Sequence, residues 1–517
     1  MIQSVKELIV VLAIAMAIFR FAKPIALRFS AESDFLRRRN VWFALTIIAF
    51  LSPNFWLFAL VAAPLYTWAG RKDTNPVALY LLVLHVVPPI AIPIPVPGIN
   101  ELFDLSNYRL LSFCVLIPAA WRLRRSKDVQ RIPRLQAMDY LLLAYGCVQM
   151  IIFVPPDLPG HLLIHDSPTN VLRRGVLFFV DTYFLYFVVS RQCSNRHAIV
   201  EAQAALCISC AVMAAVAVFE NTRNWLVYVD MVIRWTHDPK QGFYLFRGSW
   251  LRAEASAGPP LVLAYLLAIG FGFWLNLKSQ VESKRTRIGV LILLSLGLLA
   301  AYSRGPWFGT LVIYLIFLAI GPRAFSRMAK AAALAAILIG VISVLPVGER
   351  IISVLPFAGG YVDNANITYR HHLAQRSWEL IKEHPFFGDQ MAYFKMEDLR
   401  QGMGIIDFVN TYAEVTLFYG LVGLSLFAGF IFTGLSKAYR SAKQMATSDP
   451  DFAQLGFSLV ACIVGTLLML VSASLIDGYQ VISYVLMGLA AAYANLSRTP
   501  RPRTPVPHSA AMLRKAL

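Results

Sequence analysis

Charge is scarce in this chain. Only 15% of its 517 residues are charged, 58% are hydrophobic, and the mean hydropathy is +0.60. No domain of ordinary soluble size fits between the apolar runs, which excludes a soluble globular protein. Acidic residues are the scarcer sign, 29 against 47 Lys and Arg. Cysteine is sparse too. The six lie mostly in or beside apolar runs, without metal-ligand spacing, and Cys207 and Cys210 read as packing on one helix face. No external Asp, His and Glu cluster has ligand spacing, and His371-His372 cannot share a helix face, so neither metal nor other cofactor is expected. A Walker-type Gly-Lys-Ser/Thr is missing, as are internal repeats.

What is present is apolar sequence from end to end. Fifteen segments stand out: about 4–22, 41–51, 54–69, 77–92, 109–121, 138–154, 174–190, 198–219, 257–276, 287–301, 306–321, 329–346, 411–434, 455–475 and 477–496. Several are shorter than the ~20 residues a full span needs. The pair 41–51 and 54–69, split by Ser52-Pro53-Asn54, has the form of a shallow hairpin. The expectation is an all-α polytopic integral membrane protein of about 12–15 transmembrane helices, with a large external loop containing amphipathic helices. The first segment has no small-residue cleavage site and runs into Arg20, Lys23 and Arg28, so it reads as a retained helix. The division expected is 1–170, N-terminal transmembrane helices; 171–435, a core with external loops 221–256 and 347–410; 436–496, C-terminal transmembrane helices; and 497–517, a basic, disordered cytoplasmic tail.

The net charge of +18 is a topology signal. Loops 23–40, 70–75, 122–137, 191–196, 278–287, 322–330, 437–449 and 497–517 fall on one side of the segments and hold 30 of the 47 basic residues. That side is cytoplasmic by the positive-inside rule, and no nucleic-acid partner is expected. The other side receives 92–107, 155–173, 221–256, 302–305, 347–410 and Asp477 with Gly478. Chemistry there is remote from ATP and nucleotide sugars, so a donor must carry its own activation.

Arg304 lies in Ser303-Arg304-Gly305, between apolar runs 288–302 and 306–321. In lipid it would cost roughly 2.5–3.5 kcal/mol, so it sits at a membrane surface or faces a polar cavity. It either snorkels to headgroups or presents a cation to something anionic. Loop 221–256 sets Trp225, Trp235, Phe243, Tyr244 and Trp250 among Arg223, Arg234, Lys240, Arg247 and Arg252. Such aromatics form an interfacial belt or stack on sugar rings. The loop closes on Arg252-Ala-Glu-Ala-Ser-Ala-Gly-Pro-Pro, where small residues allow close backbone approach to a ligand. In loop 347–410, helical spacing over 366–384 puts Ile367, Leu373, Trp378, Leu380 and Ile381 near one stripe, ending at His384-Pro385 and Gly388. That helix lies on the membrane or acts as a lid presenting Arg370. Asp407, Asn410 and Glu414 fall on one helix face, with Asp407 as a cap and Asn410 bonding backbone. Capping leaves Glu414 unexplained inside an apolar run. Asp181, within segment 174–190, would suit an ion-coupled carrier.

Three pieces in order carry a resemblance: the small-residue segment at Arg252, Ser303-Arg304-Gly305, and His384-Pro385-Phe-Phe-Gly388 followed by Val409-Asn410-Thr-Tyr412. They resemble the O-antigen ligase and Wzy-type polysaccharide polymerase superfamily over about 170–435. The resemblance implies a metal-independent inverting glycosyltransferase of the bacterial inner membrane. Its donor would be an undecaprenyl-diphosphate-linked oligosaccharide, handled on the periplasmic face among membrane lipid. Arg304 and Arg252 would hold the diphosphate, with Arg370 a third contact. Asp407 would take the acceptor proton, and Arg247, Asn410, Tyr412 and Glu414 would complete substrate binding. The ligases typically have His-Asn where this chain has Val409-Asn410, which favours a polymerase of exopolysaccharide, capsule or O-antigen, working with a chain-length regulator and a flippase. A ligase acting on lipid A core is the alternative, and a transporter or flippase of lipid-linked glycans a second.

The topology is directly testable. In an otherwise cysteine-free background, His165→Cys, Lys240→Cys and Lys395→Cys should react with impermeant thiol reagents from outside, while Gln130→Cys and Ser283→Cys should stay protected. Labelling of position 240 only after lysis would invert the orientation.

Overall fold

The computed structural model describes residues 2–96, 102–125, 135–152, 168–238, 244–247, 250–321, 324–344, 364–400, 406–475 and 477–497. Positions 130, 165 and 240, Phe243 and the tail 498–517 lie outside them. Each of the fifteen apolar segments contains a helix, and among the described residues strands are confined to two short antiparallel pairs. Five described helices are both long and apolar enough to cross a bilayer: Gln3–Ala26, Arg196–Arg223, Pro260–Gln280, Thr411–Met445 and Pro450–Met469. The protein is an all-α polytopic membrane protein.

The shallow hairpin is not what forms. Its two arms are helices α2 (Glu32–Leu51) and α3 (Phe55–Lys72), about 30 and 27 Å long at 1.5 Å per residue. The first starts well before its apolar run because its charges are answered. Arg38, buried, pairs with Asp73 at 2.6 Å and Glu201 at 2.9 Å. Asp34 lies in the first turn, where the helix dipole favours an anion. Segment 77–92 departs the other way. Its helix, α4 (Pro76–Val83), stops after eight residues, ahead of Pro88-Pro89. The chain then enters a strand pair, Ala91–Pro93 with Asp104–Ser106. Residues 76–88 are buried throughout, so this irregular backbone is covered by protein.

Helices α5 (Arg196–Arg223) and α6 (Pro260–Leu277) form the buried centre. Gly270 lies against Cys210 and Gly272 against Cys462, so small residues set the approach of backbones. The Cys207 and Cys210 thiols reach Gly270 O and Leu266 O, each at 3.3 Å, as packing requires. Asp181 is ion-paired with Arg109 at 2.7 Å. Helices α7 (Lys284–Ala300) and α8 (Arg304–Ile320) follow, and α8 packs along α9 (Pro450–Met469), with Gly309 on Met469 and Gly465 on Ile313.

The external segment attaches through a broken helix. Helix α10 (Thr411–Met445) is interrupted at Gly420, with φ 63° and ψ −168°. The freed N–H groups of Leu421 and Val422 donate to Pro385 O (2.8 Å) and Phe386 O (3.1 Å), and Asp389 N donates to Leu417 O (2.8 Å). His384-Pro385-Phe386-Phe387-Gly388 is therefore a main-chain plug for a helix break. It ends helix α11 (Asn364–Glu383). That helix is amphipathic, but its buried stripe is Leu373, Ser377 and Leu380; Ile367 and Trp378 are 56% and 62% exposed. Leu373 and Leu380 join Ala392, Met396, Leu399 and Phe408 in a small core of their own that rests on Leu417.

Two glycines carry this joint. A Cβ on Gly420 would lie 2.2 Å from the Phe386 carbonyl, and one on Gly388, at φ +72°, 2.4 Å from the Phe418 carbonyl carbon. Gly420→Ala should cost about 1–3 kcal/mol in backbone strain before any clash is counted. The expected readout is trypsin cleavage after Lys382 or Lys395 at a rate absent from wild type. Gly289→Ala, on helix α7 with open space around it, should leave cleavage unchanged. Equal behaviour of the two variants would disprove the plug.

Candidate active site

Between α7 and α8 the chain reverses in Ala301-Tyr302-Ser303. Tyr302 is left-handed (φ 46°), a conformation that disfavours a bulky side chain and persists only under tertiary constraint. The constraint comes from residues 246–247 and 250–253. A two-residue strand pair, Phe246–Arg247 with Trp250–Leu251, runs beside the turn. Arg247 Nη1 donates to Tyr302 O (3.2 Å), Arg252 Nε to Ala301 O (3.3 Å), and Ala253 N to Ala300 O (3.0 Å). Trp250 stacks on Tyr302 with ring centroids 6.2 Å apart. Two arginines thus close the carbonyl end of α7, where cations are favoured.

The next helix inverts that logic. Arg304 is the first residue of α8, where the dipole disfavours a cation and welcomes an anion. Ser303 stands at the N-cap but makes no side-chain cap bond. Its hydroxyl instead accepts from Arg252 Nη2 at 3.0 Å. Arg247, Arg252 and Arg304 therefore meet at one reversal with a positive helix end. Burial, and then the like charge of Arg247, brings the Arg252 guanidinium down to about 10, so it stays charged at neutral pH. A phosphate anion is the chemistry such a group suits.

Two acids nearby escaped the sequence reading. Glu220, fully buried at the end of α5, accepts from Val227 N (3.1 Å), Glu254 N (3.0 Å) and Ala255 N (2.8 Å), and so shapes the small-residue loop after Arg252. Burial, and then the charge of Glu220, pushes the Glu254 carboxyl up to about 8 against the pull of Arg252. The available signal was a carboxylate at the end of an apolar run and another two residues from Arg252.

The second half of the site meets the first on the turn 470–473. Thr411 N donates to Leu470 O (3.0 Å) and Ala473 O (3.1 Å), and Tyr412 Oη to Leu467 O (2.7 Å). On the other side, a Cβ on Gly305 would stand 2.4 Å from Ser472 Oγ. Asn410 is the cap of α10, its Oδ1 accepting from Tyr412 N (3.0 Å) and Ala413 N (3.2 Å). Asp407 is not the cap. It lies exposed ahead of the helix, its Oδ1 accepting from Val409 N (3.1 Å). Because the helix begins only at Thr411, Asp407 and Asn410 share no helical face with Glu414, which is half-buried within α10. Tyr369 Oη donates to Asp407 O at 3.1 Å, which puts Asp407 on the external segment beside Arg370, itself exposed on α11. Two residues of the aromatic and basic loop 221–256 bond main-chain carbonyls instead: Trp235 donates to Ser52 O (3.2 Å) and Arg234 to Phe50 O (2.9 Å).

Fold and turn together define a class: a polytopic helical membrane protein with a cationic reversal between two of its helices. Residues 289–428 match the family model described as O-Antigen ligase, in agreement with the resemblance read from the motifs. The matched stretch takes in the Ser303 turn, the plug and the Asn410 cap, while Arg247 and Arg252 precede it. The match covers 140 of the chain's 517 residues, a likeness over one stretch of the helical bundle. No curated protein matches the chain.

If Arg304 serves the fold, removing it should destabilise the protein. If it serves an anion, the variant keeps its fold and loses rate. Arg304→Ala should insert normally and melt no earlier than wild type, since a cation at that helix end is unfavourable by about 0.3–1 kcal/mol. Transfer from purified lipid-linked glycan should fall on the order of 10²–10³. Arg304→Lys should recover little, because a point charge does not replace a bidentate fork. Wild-type transfer by Arg304→Ala would reduce the residue to an anchor.

Proposed function

We propose that this protein transfers a glycan from a diphosphate-linked lipid carrier, of the undecaprenyl type, to an acceptor hydroxyl on the periplasmic face of the bacterial inner membrane. The observation that carries this is the meeting of Arg247, Arg252 and Arg304 at the N-terminus of α8. When the anomeric C–O bond breaks, the electron pair leaves with the diphosphate, and negative charge grows where these cations stand. Cations fixed there stabilise the transition state more than the ground state. The acceptor oxygen forms its bond from the opposite face and inverts the anomeric carbon. Its proton passes to a carboxylate, for which Asp407 is the candidate on the external segment. Arg370 stands on that segment as a further phosphate contact, and Glu414 and Asn410 border the same end of α10.

Ligation is the favoured form of the reaction, because the family model that matches is described as O-Antigen ligase. Polymerisation of repeat units, with a chain-length regulator and a flippase as partners, is the second reading. It rests on Val409, which occupies the place where ligases typically carry histidine. Deletion of the gene followed by electrophoresis of surface glycans separates the two. Ligation predicts lipid A core bare of glycan, and polymerisation predicts single repeats without long chains. Unchanged surface glycan would overturn both, and lipid-linked glycan trapped on the cytoplasmic leaflet would mark a flippase instead.

A further inference from the structure

The end of the helix bundle opposite Arg304 holds a second cationic feature that the transfer reaction does not use. A cavity of about 800 Å³ opens between the first turn of α7, the last turns of α6 and α8, helix α12 (Ala324–Val344) and the first turn of α9. This is within the usual size of a ligand site, roughly 300–1,000 Å³. Lys278, Lys284, Arg287 and Arg327 line it, against one carboxylate, Asp451. That carboxylate is mostly exposed and faces Arg196 at 4.0 Å. Among the described residues, none of the four cations has a carboxylate within ion-pair distance.

These cations are held in place. Arg327 lies across Gly321 and over the Phe317 ring, 5.3 Å from its centroid. Arg287 is fixed through Nε to Val281 O, and its own carbonyl accepts from Trp274 Nε1 at 3.1 Å. Lys278 feels the like charge of both Arg327 and Arg287. A positive bundle end is ordinary for a cytoplasmic surface. A ring of mutually repelling cations around a cavity is not, since bulk water beyond the surface would let them spread apart. The walls below them are apolar: Leu275, Ile288, Leu291, Phe317 and Phe457.

Cations at the rim and hydrocarbon below is the pattern that recognises an amphiphile with a phosphate head. We infer that this cavity binds an anionic phospholipid, with the phosphate among Lys278, Arg287 and Arg327 and acyl chain along Ile288, Leu291 and Phe317. A soluble phosphate compound would leave the apolar wall unused. The site is about 24 Å along α7 from the Ser303 turn, counting 1.5 Å per residue from Lys284 to Ala300. The bound lipid braces the far ends of α7 and α8, the two helices whose near ends form that turn.

The test uses full-length protein exchanged into nanodiscs of phosphatidylcholine doped with cardiolipin or phosphatidylglycerol, with bound lipid read by native mass spectrometry after extraction. Wild type should retain the anionic lipid selectively. Each cation removed should weaken retention about five-fold, so Arg287→Gln with Arg327→Gln should lose nearly all of it. Arg440→Gln, an exposed cation outside the cavity, should change nothing. Arg287→Lys and Lys278→Arg keep the charge and should stay within a few-fold of wild type, which separates lost binding from lost folding. Equal retention of phosphatidylcholine, or unchanged retention in the double variant, would overturn the site. Displacement of the lipid by inorganic phosphate or pyrophosphate alone would overturn the amphiphile in favour of a soluble ligand.

Discussion

Backbone polar groups without water set the terms for this molecule, and the break at Gly420 is where the demand is sharpest. A helix in an apolar surround satisfies its own N–H and C=O groups. Interrupting it orphans several, each at roughly 1–3 kcal/mol. Three main-chain bonds from 385–389 answer them, and in doing so fix the external segment to the bundle. The position of α11, of its small core, and of Asp407 and Arg370 all follow from that joint. Glycine is required on both sides because two backbones occupy the space a Cβ would need.

The Ser303 turn shows the opposite economy. Arg247 and Arg252 gain by closing the carbonyl end of α7, so their contacts are explained by the fold as well as by a ligand. Arg304 stands at a helix N-terminus, where the dipole disfavours a cation and favours an anion, and it carries most of the functional argument for that reason. Tyr302 is held left-handed in the same turn. Local rules fail at both Tyr302 and Arg304 within one turn, and such failures concentrate at functional sites.

The same helices carry charge at both ends for different reasons. At one end, the half-buried Arg247 and Arg252 donate to main-chain carbonyls and Arg304 opens a helix. At the other, the cations Lys278, Arg287 and Arg327 surround a cavity with apolar walls. Between them α5, α7, α8 and α9 pack closely at glycines, Gly297 of α7 on Ala214 of α5 and Gly465 of α9 on Ile313 of α8, which leaves little freedom for one end to move without the other.

The amino-acid sequence by itself determined where helices form, because apolar length and spacing are local properties, and every one of the fifteen segments contains one. It also exposed Arg252 and Ser303-Arg304-Gly305 as the residues to watch, and the end of the external helix at His384-Pro385, since proline and glycine act locally. What it did not carry was the answer to each buried polar group. Arg38 extends α2 through a nine-residue stretch with seven polar residues because Asp73 and Glu201 wait for it, one of them 163 residues away. Segment 77–92 abandons its helix because protein covers it. Asn410 rather than Asp407 caps α10 because the helix starts where Thr411 can bond Leu470 and Ala473. Arg252 reaches Ser303 across 51 residues. Partners for hydrogen bonds and charges are chosen in space, at separations that periodicity does not encode, and only the tertiary structure decided them.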